Sequence, residues 1–302
     1  MNARKLEIVE VAPRDGLQNE KQLIATGDKI ALIERAVAMG VRRIEMASFA
    51  RPDRVPQMAD AEAVIAGLDL PEDVVTIGLV MNKKGALRAL ETQVKELGAV
   101  CVASDSFAQR NQGQTSIESA QMAADVVRFA AGEGRRAQVT IGAAFGCPFE
   151  GEVDPDHVLR VAELIALAGP VEIALADTIG VAVPAQVFEL VSRVRGVVGA
   201  LPVRVHLHNT RNTGIANAWA AVEAGASTLD ASLGGIGGCP FAPNATGNIA
   251  TEDLLYMLDR SGVDTGLDLA AVIDASHWLS GVMQKSLPAL VSRAGPFPNI
   301  QA

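Results

Sequence analysis

The feature that most constrains this chain is an alternation, repeated eight times, of short β-branched runs with longer Ala- and Leu-rich segments of helical period. Parallel strands joined by crossover helices produce this pattern, and eight such units close into a barrel of roughly 250 residues plus insertions. No linker, low-complexity tract or second domain interrupts the alternation. We therefore predict an α/β fold, a TIM (β/α)8 barrel with additional C-terminal helices, in one domain covering residues 1–302.

The boundaries of the repeated units follow from the same pattern. The predicted strands are Leu6–Val11, Arg43–Ala47, Val74–Leu79, Ala99–Ala103, Gln138–Ala143, Val171–Ala176, Val203–Leu207 and Ser227–Ser232. Helices predicted between them include Gly27–Met39, Lys84–Leu97, Ile117–Glu133, Asp156–Leu167, Pro184–Val194 and Ile215–Ala224. Residues 251–302 are predicted to form a helical extension packed on the barrel, and Thr251 caps its first helix.

Composition narrows the class of protein. The chain is 49% hydrophobic but only 4% aromatic, which predicts an aliphatic core, and its formal net charge of −9 argues against a nucleic-acid partner. No apolar run reaches about 18 residues, so we expect no membrane partner. The odd set of Cys101, Cys147 and Cys239 does not make a disulfide framework, and it suits a reducing, cytoplasmic compartment.

Two histidines mark the most informative strand end. In a barrel of this class, chemistry takes place at the carboxyl ends of the strands. His206 and His208 lie on one face of the seventh strand, about 6.6 Å apart along it. Asp15 after the first strand and Asn248 beyond the eighth reach the same mouth. This mixed N/O set suits Mg²⁺ or Mn²⁺ better than a structural zinc ion; the alternative is a pair of satisfied polar residues at a strand end.

Three further charged residues lie at strand ends. Arg14 sits between Pro13 and Asp15, where a fixed guanidinium stabilises negative charge that develops in a transition state. The alternative for Arg14 is a surface ion pair of little energetic value. Glu45 and Asp177 lie on the second and sixth strands, and carboxylates near a metal either bind it or orient its ligands. We favour the orienting role for both.

A glycine-rich loop follows the eighth strand. Cys239 lies in "GGIGGCPFAPNATGN", a loop able to approach a ligand closely with its backbone, and the thiol is a candidate proton donor or acceptor. The loop lacks the spacing of a dinucleotide fingerprint. We interpret Cys101 as core, Cys147 as a turn residue, and His157 and His277 as structural.

Four motifs together resemble one family. The segments "APRDGLQNE", "IALADTIG", "HLHN" and "GGCPFAPNATGNIATEDLLYML" are similar to those of the hydroxymethylglutaryl-CoA lyases, and the resemblance runs from about Leu6 to Leu269. It implies a metal-dependent retro-Claisen cleavage of 3-hydroxy-3-methylglutaryl-CoA or a related 3-hydroxyacyl-CoA, which yields acetyl-CoA and a keto acid. It also implies a CoA thioester partner and favours a homodimer.

The resemblance assigns roles to individual residues. It makes Asp15, His206, His208 and Asn248 the metal ligands, and Arg14 the group that polarises the thioester carbonyl. Cys239 resembles the loop cysteine that closes over the substrate, and Asp177 and Glu45 resemble supporting acids. Gln18 and Glu252 match as residues that would support the ligands.

The chain departs from the family pattern at residues expected to line the acyl pocket. Members usually continue the second histidine with Asp-Thr-Tyr-Gly-Gln, and usually carry an Arg, a Tyr and a Ser on strand five and a Ser on strand six. The corresponding positions here include Gln138, Thr140, Ala174, Asn209, Arg211 and Asn212. We interpret these changes as an altered acyl substrate with unaltered chemistry. Arg211 is a candidate for the missing positive charge, with a solvated loop residue as the alternative.

Other functions remain open at this point. One alternative is a lyase of the same kind that acts on a different acyl-CoA, for example citramalyl-CoA. A Claisen-condensing synthase of the isopropylmalate type shares the HxHN strand end, but such synthases usually carry further C-terminal regions. A non-catalytic binding barrel would require a broken ligand set, and the set is intact.

Overall fold

Eight parallel strands form a closed barrel in residues 4–238 and 247–298, which are the residues that the computed structural model describes. Each strand pairs with the next along the chain, and the first closes on the last, with Glu7 opposite Thr228 and Glu10 opposite Ala231. The strands are β1 Glu7–Glu10, β2 Arg43–Ser48, β3 Val75–Val80, β4 Glu96–Val102, β5 Arg136–Gly142, β6 Ile173–Asp177, β7 Val203–Leu207 and β8 Thr228–Ala231.

Helices surround the barrel and continue past its last strand. They are α1 Thr26–Ala38, α2 Ala61–Ala66, α3 Lys83–Leu90, α4 Asp105–Gln112, α5 Ser116–Gly132, α6 Pro155–Ala166, α7 Pro184–Val198, α8 Gly214–Glu223, α9 Thr251–Arg260, α10 Leu269–Met283 and α11 Val291–Ala294. A short strand Arg4–Lys5 pairs with Val263–Asp264 beside the barrel. The predicted TIM barrel with additional C-terminal helices is confirmed.

Every predicted strand is present, Val203–Leu207 with the predicted bounds and the others with ends shifted by up to three residues, but one predicted helix was too long. The pattern predicted a helix over Lys84–Leu97, whereas α3 ends at Leu90 and β4 begins at Glu96. Thr92 ends the helix by donating its hydroxyl to the Ala89 carbonyl. The Glu96 carboxylate is then drawn into the barrel, where it accepts from Arg43 Nη2 at 2.5 Å.

The barrel interior is aliphatic except for a chain of buried ionic side chains, which the sequence analysis did not predict. Four members lie on strands and one directly precedes β6; they are Arg43, Glu96, Glu172, Arg204 and Asp230. Arg204 is only 1% exposed and is among the largest fully buried side chains. Buried charges persist only when they are paired, so this chain of ion pairs fixes several strands relative to one another.

No helix in the described part of the chain combines the length and the apolarity that a bilayer crossing requires.

Candidate active site

A π-helical turn after β1 carries the first pair of predicted site residues. The turn spans Ala12–Gly16, and its first amide donates to the buried Glu10 carboxylate at 2.9 Å. Gly16 is required because a Cβ there would lie 2.7 Å from Ile236 Cγ1. The turn therefore packs directly on the segment after β8, and it holds Arg14 and Asp15 over the barrel mouth.

The structure brings Asp15, His206 and His208 together. Ligand atoms of these residues all lie within 4.8 Å of one another, and His206 Nε2 is 3.9 Å from Asp15 Oδ2. Both histidines are buried and project from the end of β7. This arrangement suits a single bound cation.

Asn248 joins the same cluster from the segment that follows β8. Its Nδ2 donates to Asp15 Oδ2 at 2.8 Å, and its backbone bridges to His208. Its Oδ1 is buried and has no hydrogen-bond partner among the residues that the structure describes. A buried amide oxygen without a partner is costly in free energy. The donor set of carboxylate, imidazoles and amide oxygen therefore fits a divalent cation.

Electrostatics at the cluster keep the Asp15 carboxylate ionised. Burial alone would raise the pKa of Asp15, but the nearby Arg14 charge and the histidines outweigh it and hold the pKa well below its usual range. Burial alone would lower the pKa of His206, but its hydrogen bond to Asp230 and the charge of Asp15 raise it. Asp15 is thus ionised at neutral pH, as a metal ligand must be.

Arg14 lies beside the ligand set and is doubly paired. Its Nη1 donates to Asp15 Oδ1 at 2.7 Å, and its Nη2 donates to Glu45 Oε2 at 2.5 Å. Burial alone would lower the pKa of Arg14, but Glu45 and Asp15 raise it above its ordinary value. Glu45 therefore orients the guanidinium, and Arg14 presents a fixed positive charge to the mouth.

The other predicted supporting residues have distinct places. Asp177 is buried at the end of β6 and accepts the amides of Val181 and Ala182 at 2.9 and 3.0 Å, while burial raises its pKa. Glu252 is buried on α9 and accepts the Gly234 amide, again with its pKa raised by burial. Both carboxylates fix loops at the mouth. Gln18 lines the cavity at the site.

Two buried residues at the site were missed from the sequence. Asp230 on β8 lies 2.9 Å from His206 Nδ1 through Oδ2, and it accepts from Arg204 Nη1 at 3.0 Å through Oδ1. For Arg204 the signal was present in the alternation of "VRVHLH", which places it on the same face as both histidines. A buried arginine on that face requires a carboxylate partner.

The predicted pocket residues of strands five and six lie around Arg204. Thr140 lines the cavity, and Gln138 is buried beneath it with Oε1 2.6 Å from Arg204 Nη2. Ala174 is fully buried and pairs in register with Arg204.

The predicted pocket residues that follow His208 hold a loop together. Asn209 Oδ1 accepts the Gly214 amide at the start of α8 at 3.0 Å. Arg211 Nη1 donates to the carbonyls of Ile179 and Gly180 at 3.1 and 2.9 Å, and Asn212 has a left-handed backbone with φ of 58°. Arg211 therefore links the loop after β7 to the loop after β6 by hydrogen bonds.

The remaining cysteines and histidines have the structural places expected of them. Burial raises the pKa of the Cys101 thiol to about 12, and the Ser104 hydroxyl lies 2.8 Å from Cys147 Sγ. His157 Nε2 is 2.8 Å from Ser116 Oγ, and His277 Nε2 donates to the Ser292 carbonyl at 2.7 Å. Cys239, the predicted loop thiol, lies outside the described residues.

A cavity of about 1440 Å³ opens above this cluster. Its floor contains Arg14, Asp15, Glu45, His206 and His208, and its rim is cationic. The rim cations are Arg51, Arg54, Lys84, Arg88 and Arg110. The cavity therefore combines a polar floor, where Asp15 and the two histidines converge, with a mouth suited to an anionic group.

Comparison with known proteins yields consistent matches. The HMGL-like family model matches residues 5–279. The (R)-citramalyl-CoA lyase of Chloroflexus aurantiacus is 45% identical, over 97% of this chain and 96% of that protein. A 3-hydroxy-3-isohexenylglutaryl-CoA/hydroxy-methylglutaryl-CoA lyase of Pseudomonas aeruginosa is 38% identical, over 96% and 97%. An HMG-CoA lyase of Acinetobacter baumannii, solved with coenzyme A and 3-methylmalate, superposes with a TM-score of 0.93 at 39% identity and covers 99% of this chain and 97% of its own.

Proposed function

The chain belongs to the HMGL-like family of carbon–carbon lyases acting on CoA thioesters, and we propose that it cleaves a 3-hydroxyacyl-CoA by divalent-metal-dependent retro-Claisen chemistry, with citramalyl-CoA preferred. The observation that carries this proposal is the convergence of Asp15, His206 and His208 beside Arg14 at the floor of one large cavity.

The reaction needs no oxidant or reductant. A base takes the proton of the tertiary hydroxyl, the C2–C3 bond breaks, and its electron pair becomes the enolate of acetyl-CoA. The carbinol carbon becomes a ketone, which is pyruvate from citramalyl-CoA and acetoacetate from hydroxymethylglutaryl-CoA. Protonation of the enolate carbon completes acetyl-CoA.

Each part of the site serves one of these steps. Asp15, His206, His208 and Asn248 would hold Mg²⁺ or Mn²⁺, and such an ion when bound lowers the pKa of a hydroxyl it chelates. Arg14 supplies a preorganised positive charge for the enolate oxygen, and Glu45 holds that charge in place. Cys239 remains our predicted route for the final proton.

The cationic rim suits the CoA portion of the substrate. The chain as a whole carries a formal charge of −9, yet five Lys and Arg side chains gather around this one mouth. Arg51 and Arg88 are paired with Asp53 and Glu62, and so they keep defined positions. The phosphates of CoA are the anionic groups that such a rim attracts.

Two observations support citramalyl-CoA as the preferred substrate. Citramalyl-CoA carries its carboxylate directly on the carbinol carbon and is one methylene shorter than hydroxymethylglutaryl-CoA. Arg204 is buried two residues before His206 on the same strand and lines the cavity, so its side chain takes up space there. The identity to the citramalyl-CoA lyase, 45%, also exceeds the 38% to the lyase of longer acyl groups.

A substrate panel tests this proposal. Purified protein with Mg²⁺ is incubated with (R)- and (S)-citramalyl-CoA, hydroxymethylglutaryl-CoA and 3-hydroxybutyryl-CoA, and acetyl-CoA release is followed by mass spectrometry. One methylene in a pocket is worth about 10- to 200-fold, so we expect kcat/KM for citramalyl-CoA to exceed that for hydroxymethylglutaryl-CoA by at least about tenfold. Arg14→Met should lower kcat by about 10²- to 10³-fold.

The outcomes separate the parts of the proposal. Faster cleavage of hydroxymethylglutaryl-CoA would replace the preferred substrate and leave the reaction class unchanged. Absence of acetyl-CoA from every thioester, with none consumed in the reverse direction, would overturn the lyase function.

A further inference from the structure

His206 presents its two ring nitrogens to different partners. Nδ1 lies 2.9 Å from Asp230 Oδ2, while Nε2 faces Asp15 at 3.9 Å. A ring that donates Nδ1–H to a carboxylate keeps its lone pair on Nε2, and its rotation is fixed. Asp230 therefore directs Nε2 of His206 into the ligand set.

Asp230 is itself held by a buried arginine. Arg204 Nη1 donates to Asp230 Oδ1 at 3.0 Å, and Arg204 Nε lies 3.1 Å from Glu172 Oε2. Its Nη2 lies 2.6 Å from Gln138 Oε1 and 3.2 Å from Thr140 Oγ1. The guanidinium is thus held between β5, β8 and Glu172, the residue that precedes β6.

The path of the Arg204 side chain explains three departures from the family pattern, those at Gln138, Thr140 and Ala174. Ala174 on β6 lies in register between Thr140 on β5 and Arg204 on β7. The small Ala174 side chain leaves room for the guanidinium to pass across β6 and reach β5. On β5 the guanidinium contacts Gln138 and Thr140. The three residues that differ from the family pattern therefore either leave space for the Arg204 side chain or bind it.

We propose that Arg204 and Asp230 are positioning residues that set the affinity of the metal site by fixing the ring of His206. The inference rests on the proposed function, because it takes His206 as a metal ligand. Outer partners of metal-binding histidines typically change affinity by about 10- to 100-fold when mutated. Arg204, and not Arg211, then supplies the positive charge that the family pattern places on strand five.

The same interior offers a matched control. Glu96 is as deeply buried as Asp230 and also pairs with an arginine, Arg43. It lies at the other end of the ionic chain, where its carboxylate pairs with Arg43 and Arg136. If the ionic chain only holds the barrel together, Glu96→Gln and Asp230→Asn should have the same consequences.

The experiment measures Mn²⁺ binding directly, without substrate. The signal of free Mn²⁺ is titrated by electron paramagnetic resonance against the parent protein, Asp230→Asn, Arg204→Lys and Glu96→Gln, and near-UV circular dichroism reports folding. We expect the Kd for Mn²⁺ to rise about tenfold or more in Asp230→Asn. We expect a rise of at least about threefold in Arg204→Lys, which keeps the buried charge but loses the fork that holds Asp230.

Glu96→Gln should lower the unfolding temperature and leave the Kd within about twofold of the parent, since an outer ligand partner acts on the site only through contact. Parent-like binding by folded Asp230→Asn and Arg204→Lys would overturn the inference, as would an equal loss in Glu96→Gln. If Asp230→Asn does not fold, Arg204→Lys decides. Failure of the parent itself to bind Mn²⁺ would instead overturn the metal site of the proposed function.

Discussion

At the scale of single residues, some side chains of the site can be placed from the alternation of a strand. Others can be placed only once the packed structure is known. His206 and His208 were predictable because alternation on a strand places them on one face. Asp15 was predictable because barrel closure brings β1 beside β8. Asp230 was not, because its role depends on which ring nitrogen it meets, and no spacing in the sequence encodes that contact.

Glu10 is a second residue whose importance only the structure reveals. Its carboxylate accepts the amides of Ala12 and Leu233, each at 2.9 Å, and the Thr251 hydroxyl at 2.7 Å. It therefore ties the turn that carries Arg14 to the segment after β8 and to the start of α9. Burial outweighs these hydrogen bonds and raises the pKa of Glu10 to about 7.

The raised pKa of Glu10 predicts how stability depends on pH. The folded protein holds this proton more tightly than the unfolded chain, so the contribution is fully present below about pH 4.5 and is lost as pH rises through about 7. The loss amounts to a few kcal/mol at most, on the order of 1.4 kcal/mol per pKa unit. Glu10→Gln, which keeps an acceptor for both amides, should flatten the stability profile between pH 5 and 8.

Urea unfolding of the parent and Glu10→Gln at pH 5.5 and 8 measures this difference. Glu118→Gln is the control, since Glu118 is an exposed capping residue of α5. If the free energy of unfolding changes equally with pH in the parent and in Glu10→Gln, then Glu10 does not titrate in this range.

At the scale of elements, β7 carries most of the site. Its inward face presents Arg204, His206 and His208 in succession, and the strand was predicted with its bounds correct, Val203–Leu207. The sequence-based hypothesis concerned the loop after the strand and did not include the arginine within it. The overlong prediction for α3 has a related cause: Lys84–Leu97 is helical in composition, but the Glu96 carboxylate is buried by its pairing with Arg43 on β2.

The loop after β7 gives a prediction that opposes our sequence-based hypothesis for Arg211. Its guanidinium donates to the carbonyls of Ile179 and Gly180. Arg211→Ala should therefore destabilise the protein by about 1 to 3 kcal/mol, the usual loss for hydrogen bonds from a charged group. The ratio of kcat/KM for citramalyl-CoA and hydroxymethylglutaryl-CoA should stay within about twofold of the parent, because a residue outside the pocket does not discriminate substrates.

Thermal unfolding and paired kinetic assays measure these two effects. Asn209→Ala serves as the comparison, since it removes a hydrogen bond to the first amide of α8 in the same loop without removing a charge. A change of tenfold or more in the substrate ratio of Arg211→Ala alone would restore the hypothesis that Arg211 binds the acyl group.

At the scale of the whole molecule, the barrel was predictable and its interior was not. Eight repeats of a local period predict eight parallel strands, because each strand and helix can be recognised from a short window. The ionic chain from Arg43 to His206 requires side chains of β2, β4, β7 and β8 to meet Glu172, which directly precedes β6, and their registers are set only when the barrel closes. The homodimer and the cytoplasmic location stay predictions.

The metal site links the chemistry to the stability of the whole fold. A ligand that binds only the folded state stabilises it by about 2.7 kcal/mol at one hundred times its Kd. Saturating Mn²⁺ should therefore raise the unfolding temperature of the parent protein by several degrees. His208→Ala removes one imidazole from the ligand set, so its unfolding temperature should no longer respond to Mn²⁺.

His157→Ala provides the matched control for that measurement. His157 lies on α6, and its Nε2 contacts Ser116 Oγ instead of the ligand set. Its loss should therefore lower stability slightly and preserve the full response to Mn²⁺. Scanning calorimetry with and without Mn²⁺ gives both quantities in one experiment. A His208→Ala protein that is still stabilised by Mn²⁺ as strongly as the parent would show that the ion binds elsewhere, because an intact response cannot arise from a ligand set that has lost a buried imidazole.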